Sequence, residues 1–236
     1  MLEGELYSYL RRFGYLPLTI NPASQPETVS AAIVRMQGDL GLKMDGIAGR
    51  ITERAMLAPR CGVSEEELQR ARGQVCKWNH AGPVRWTVKN FLTVQGLAVD
   101  EQRAIYRQAF RHWEKVCAIT FAEVATVSEA HIVLDVGRGP RSDFDGAGGT
   151  LAWAQLPCGA SQVLVRFDLD EPFGLSATMG RVALGPVATH EIGHAIGLSH
   201  IAKGQGTALM NPIYDPRVPE PLALDIRAVI ALYGPA

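Results

Sequence analysis

An α/β domain preceded by a small three-helix domain is the fold class that this 236-residue sequence predicts. Three observations carry it. Helical apolar spacing marks the first part of the chain, up to about residue 63. Strand-like alternation begins at Val84, and strands and longer helical patterns then share the rest of the chain. Between the two, Ser64 to Gln74 is charged and poor in large apolar residues, as suits an exposed connector. The expected division is 1–63, a connector at 64–77, and 78–236.

Each element follows from local pattern. Leu6 to Leu10 and Ile33 to Leu40 have helical apolar spacing, and Thr52 to Leu57 forms a third short helical pattern. Val84 to Val88 alternates as a strand, and Glu101 to Val116 carries Ile105, Ala109, Phe110 and Trp113 at helical intervals. Two strand candidates follow, Ile119 to Val124 and His131 to Val136. After a glycine-rich loop come two more, at Thr150 to Ala154 and Gln162 to Phe167. A helix over the histidine-rich stretch near residue 190 and a closing helix at Ala223 to Leu232 complete the domain.

Composition bounds the partners. A hydrophobic fraction of 47% can fill a core, and a net charge of −1 makes no electrostatic case for nucleic acid or an anionic membrane. No apolar run is long enough to span a membrane, and Met1 to Glu5 lacks the basic start and apolar stretch of a signal peptide. No Asn-x-Ser/Thr acceptor occurs, so N-glycosylation is not expected. A monomer is expected.

The most informative stretch is His190-Glu191-Ile192-Gly193-His194-Ala195-Ile196-Gly197-Leu198-Ser199-His200. On a helix, His190 and His194 lie four apart on one face, so both imidazoles reach a single Zn²⁺. Glu191 projects beside the metal, where it can act as general base toward water. Gly197 lets the chain leave the helix through a conformation costly for other residues, and His200 swings back as third ligand. Three imidazoles leave a fourth position open, the arrangement of a catalytic zinc rather than a structural one. Ten residues on, Met210 stands in Ala208-Leu209-Met210-Asn211-Pro212, where a turn can lie beneath the metal. His80, His112 and His131 are expected to be structural.

These residues, together with Pro59-Arg60-Cys61-Gly62-Val63, resemble the matrixin family, the matrix metalloproteinases, over nearly the whole chain. The resemblance implies a metzincin catalytic domain with a twisted, mainly parallel sheet, a zinc helix and a Met-turn at Met210. It implies a secreted zinc metalloendopeptidase made as a zymogen. Residues 59–63 look like the family's cysteine switch, in which the Cys61 thiolate fills the fourth zinc position. The family continues with Pro-Asp, whereas Ser64-Glu65 stand here. The N-terminal domain, with Met36-Gln37 and Gly41 to Gly46, looks like the family propeptide, similar in fold to peptidoglycan-binding modules. A rival expectation follows, a cell-wall-targeted peptidase whose N-terminal domain binds glycan.

The resemblance extends to a calcium loop. Phe144 to Ala152 and Phe167 to Glu171 offer carboxylates at Asp145, Asp168 and Glu171 and backbone carbonyls at Gly146, Gly148 and Thr150. By contrast, Arg138, Pro140, Trp153 and Arg166 stand where the family places a second zinc, and none is a plausible ligand. His131 and Leu164 replace carboxylates of a second calcium site. One zinc and one calcium are therefore expected, with Trp153 or the two arginines bridging the vacated space. Peptide substrates are expected to pair antiparallel with Leu151-Ala152-Trp153-Ala154, against an opposite wall of Pro212-Ile213-Tyr214. A pocket beside the zinc would take a medium or large apolar side chain. The chain ends where the family's catalytic domain ends, so a haemopexin-like domain and large structured collagens are not expected. Arg70 and Arg72 are candidate activation cuts, and no furin-type basic run is present. If Cys61 is kept for zinc, Cys76, Cys117 and Cys158 form at most one disulfide, and their pairing stays open.

Overall fold

A computed structural model describes residues 3–236 except Gly73, His80 and Met179, and except the side chain of Ser142. The structural role expected of His80 therefore lies outside the described residues. The N-terminal unit consists of α1 (Glu3–Arg12), α2 (Pro26–Asp39) and α3 (Arg50–Met56). Pro26 opens α2, where its missing N–H costs nothing because the first-turn N–H groups lack helical partners anyway. Leu10, Phe13, Tyr15, Leu16, Ile33 and Met36 form its core. Gln37, buried among them, reaches Asp45 Oδ1, the Ile47 carbonyl and Thr52 Oγ1 and accepts from the Gly46 N–H, which fixes the loop before α3.

Next come a two-residue strand, β1 (Arg60–Cys61), and α4 (Glu65–Ala71). The expected exposed connector is therefore half helical. Ser64 caps α4 by accepting from the Glu67 N–H at 3.2 Å, and the helix buries Glu65 and Leu68. Leu68 joins Cys61, Val63, Cys76 and Leu156 in a small cluster of its own, so a single apolar residue suffices to dock a charged segment. A disulfide joins Cys76 to Cys158 and leaves Cys117 buried and free.

The remaining chain holds β2 (Val84–Val88), α5 (Val99–Glu114), β3 (Phe121–Glu123), β4 (Ile132–Gly137), β5 (Thr150–Ala154), β6 (Val163–Asp168), β7 (Phe173–Gly174), β8 (Val182–Ala183), α6 (Leu184–Ala195) and α7 (Ala223–Tyr233). The large sheet runs β1-β5-β6-β4-β2-β3, with every pairing parallel except β5 with β6. The mainly parallel sheet is thus present, with β5 and the short β1 beside it running against the other four strands. On one side of the sheet lie α5 and α6. Trp113 of α5, fully buried, donates its indole N–H to the Thr189 carbonyl of α6. Because α6 is buried on almost every side, its sequence is apolar apart from the groups that do chemistry. Among the described residues no helix is long and apolar enough to cross a membrane.

Candidate metal centre

Within α6, His190 and His194 stand one turn apart and turn the same way. His190 Nδ1 lies 2.7 Å from the Leu209 carbonyl and His194 Nδ1 lies 2.8 Å from the Leu198 carbonyl. A carbonyl only accepts, so both Nδ1 atoms carry the proton and both Nε2 lone pairs face each other, 3.1 Å apart. The helix ends at Ala195, and Gly197 at φ 102° turns the chain so that His200 comes back over the first two rings. His200 Nδ1 is held by Glu65 Oε1 at 2.7 Å, while its Nε2 is buried without a hydrogen-bond partner. Cys61 Sγ completes the cluster 3.5 Å from His194 Nε2. All four ligand atoms lie within 4.8 Å of one another, the single such group among the described residues.

This donor set fits zinc. Bonds of about 2.0–2.1 Å to nitrogen and 2.3 Å to sulfur, at tetrahedral angles, separate ligand atoms by about 3.3 Å (N···N) and about 3.6 Å (N···S). Burial pulls His190 down to about 3 and His194 and His200 well below their ordinary range, so all three imidazoles are neutral, as ligands must be. Burial pushes Glu191 up to about 8 and the Cys61 thiol upward. A divalent cation reverses that preference for a neighbouring thiol, which it deprotonates outright. Glu191 Oε2 is buried with no hydrogen-bond partner, and the carboxyl lies against the Cys61 thiol.

The segment bearing Cys61 lies between two walls. Arg60 N–H donates to the Gly149 carbonyl and Gly62 N–H to the Ala152 carbonyl, in parallel register with β5. On the other side Cys61 N–H donates to the Pro212 carbonyl and Tyr214 N–H to the Pro59 carbonyl. A Cβ on Gly62 would stand 2.5 Å from the Thr150 methyl, so only glycine lets the segment approach this closely. Arg60 is fully buried. Its guanidinium lies 3.7 Å from the Phe13 ring centroid, donates to Tyr9 Oη at 2.7 Å, and comes within 3.8 Å of Glu65.

Family comparisons agree with this geometry. The matrixin profile matches residues 77–234, and a putative peptidoglycan binding domain profile matches residues 4–56. The chain belongs to the matrixin family. It is 35% identical to human matrix metalloproteinase-17 over 91% of its length and 33% identical to rat matrix metalloproteinase-16 over 96%, spanning 37% and 41% of those proteins. It is also 30% identical to the Arabidopsis thaliana metalloendoproteinase 1-MMP over 98% of its length, spanning 69% of that protein. Matrixins are zinc metalloendopeptidases.

The turn at Met210 packs against α6, with the Leu209 carbonyl on His190. Met210 is fully buried, and a Cβ on Gly193 would stand 2.5 Å from its sulfur and 2.9 Å from the Trp113 ring. The HExxH glycine thus admits the turn from below. The turn itself hangs on Asp225, whose buried carboxylate accepts from the Leu209, Met210 and Leu222 N–H groups at 2.8–2.9 Å.

The candidate calcium loop is more spread out than the zinc cluster. Glu171 Oε1 accepts from the Gly148 and Gly149 N–H groups, and Asp145 Oδ1 from the Thr150 N–H. Gly146 and Gly148 both take positive φ, which shapes the turn. The other oxygen of Asp145 lies 3.2 Å from Arg12 of α1. Asp168 Oδ2 is buried without a partner. Burial, with help from neighbouring carboxylates, raises both Asp168 and Glu171 above the usual carboxylate range. Two buried acids and an orphan oxygen fit a hard cation. At the positions that hold no second-zinc ligand, Arg166 lies 5.4 Å from the Trp153 ring centroid and 3.5 Å from Asp135, and Arg138 lies 3.6 Å from Asp170. His131 accepts the Arg85 N–H and stacks on Trp78, and His112 lies between Thr189 and Glu220.

Beside Glu191 and Cys61 opens a pocket lined by Leu151, Val187, Leu209, Pro212, Tyr214 and Val218. It brings together residues of both expected substrate walls, Leu151 from β5 and Pro212, Ile213 and Tyr214 from the other side. Sequence reasoning missed three supports: Glu65 on His200, Asp225 under the turn, and Trp78, whose indole donates to the Ala195 carbonyl at the end of the zinc helix. Glu65 carried a signal of sorts, since it keeps an acid where the family has Asp.

Proposed function

We propose that this matrixin is a secreted zinc metalloendopeptidase made in a latent form. The carrying observation is the convergence of His190, His194, His200 and Cys61 on one point with the buried Glu191 carboxyl beside the Cys61 thiol. When bound, zinc supplies a Lewis acid that polarises the scissile carbonyl and brings the pKa of water from 15.7 to about 7. Glu191 takes a proton from the attacking water and later gives it to the departing amine. Gly149, Ala152, Pro212 and Tyr214 offer the backbone groups that hold an extended substrate, expected to run antiparallel to β5. The pocket at Leu151, Val187 and Val218 selects an apolar side chain after the scissile bond. The same backbone groups now hold residues 59–62, which supports an inhibitory role: substrate and switch compete for one cleft.

Calcium at Asp145, Asp168 and Glu171, with the carbonyls of Gly146, Gly148 and Thr150, supports the fold rather than the chemistry. A disulfide fits an oxidising compartment and so supports export. The site is complete within one chain, which fits a monomer. The peptidoglycan-binding match favours a second reading, a wall-targeted peptidase that is active when intact. The test is zinc content and peptide cleavage before and after proteolysis at the Arg70–Arg72 end of α4. One zinc per chain throughout, with activity rising on cleavage, is the expected result; cleavage of peptides by a zinc-free chain would overturn it.

A further inference from the structure

The three histidines are not oriented by the same part of the molecule. His190 and His194 donate to carbonyls of Leu209 and Leu198, both in the catalytic region. His200 Nδ1 pairs instead with Glu65 Oε1 at 2.7 Å, as donor when its Nε2 ligates zinc, and Glu65 lies before the proposed activation cut. Glu65 is held there firmly: its own N–H donates to the Phe13 carbonyl, Ser64 caps the helix it starts, and Arg60 stands 3.8 Å from the same Oε1. The His200 side chain is only 3% exposed in this arrangement and that of Glu65 11%.

We propose that Glu65 is an outer partner of the zinc ligand His200 that exists only in the latent chain, so that activation removes from the metal site a hydrogen-bond acceptor as well as a thiol. The inference rests on the reading of His190, His194 and His200 as zinc ligands and deepens it. A carboxylate on the far nitrogen of a ligating imidazole fixes its tautomer and ring orientation and raises its basicity. Loss of such a partner typically lowers metal affinity about 10–100-fold. The latent chain is therefore the form that acquires and keeps zinc, and the released enzyme holds it more loosely through a freer His200.

The test is zinc competition against a chromogenic chelator, using the intact chain. Cys61→Ser removes the thiol ligand, and adding Glu65→Ala to it isolates the outer partner; zinc affinity should fall a further tenfold or more. Glu65→Ala also strands Arg60, so Arg60→Met with Glu65→Leu, in the same Cys61→Ser chain, removes the buried pair together and leaves an apolar contact. Zinc should stay weakened in that triple variant. Affinity unchanged within twofold in Cys61→Ser/Glu65→Ala, or restored by the paired apolar replacement, overturns the proposal. Stoichiometric zinc in the wild-type chain beside either result confines the failure to Glu65; a wild-type chain without zinc sinks the metalloprotease reading and this inference with it.

Discussion

The Cys76 carbonyl oxygen lies 1.7 Å from where a Cβ on Gly197 would stand. The glycine between the second and third histidines is therefore required twice, for its φ of 102° and for a strap that crosses it. The strap is anchored just after that crossing. Trp78 donates to the Ala195 carbonyl, Trp78 N–H donates to Tyr233 Oη, which donates to the Ile196 carbonyl, and Lys77 reaches the Leu232 carbonyl. Gly197→Ala should displace the strap and the path to His200 together. The expected cost is about 3 kcal/mol or more of stability, read by denaturant unfolding, with zinc content falling in parallel. A variant as stable as the parent would show that the contact is soft.

The disulfide of that strap should matter to stability. It closes a separation of 82 residues, for which chain entropy predicts about 4.5 kcal/mol. Cys76→Ser with Cys158→Ser should lower the unfolding free energy by about 2–5 kcal/mol. Because Cys76 follows Arg72, the bridge stays with the catalytic part after a cut there, so the loss should appear in cleaved and intact protein alike. Coincident unfolding curves for parent and variant would contradict this.

Latency should depend on Cys61. Cys61→Ser should switch on peptide cleavage by the intact chain with zinc retained, and proteolysis of the connector should reach a comparable rate. The helix α4 directs the cut: Arg70 lies inside it and pairs with Glu66 at 2.8 Å, whereas Arg72 follows it. Mass spectrometry should find cleavage after Arg72 ahead of Arg70. Full activity in the intact wild-type chain, without gain from Cys61→Ser, favours the targeting module.

Glu191→Ala should lower peptide hydrolysis by about 10²–10⁴-fold, the usual span for a general base. The three histidines remain, so one zinc per chain should persist by atomic absorption. Activity within threefold of the parent would remove Glu191 from that role.

Calcium should raise the unfolding temperature in a concentration-dependent way, because only the native loop assembles Asp145, Asp168 and Glu171. Asp168→Ala should abolish the response, since its orphan oxygen is the group a cation would satisfy. A chelated parent indifferent to added calcium would rule out the site.

Much of the site was legible in the chain because its spacing is local. A four-residue interval on a helix puts His190 and His194 on one face whatever surrounds them, Gly197 announces a turn, and Arg60-Cys61-Gly62 identifies itself by its neighbours. The strands β2, β4, β5 and β6 and the helices α5 and α7 were legible for the same reason, since side-chain period follows from backbone geometry. Ser64 to Arg72 shows the limit. Its charges suggested an exposed connector, but one buried leucine and a serine cap fold it as a helix, and the acid in its first turn meets a histidine 135 residues away. The Cys76–Cys158 pairing, the Asp225 carboxylate beneath Met210 and the Cys76 carbonyl over Gly197 are likewise meetings between distant segments. No periodicity encodes them, because such contacts are set by which surfaces pack against each other once the whole chain has closed; that choice belonged to the tertiary structure alone.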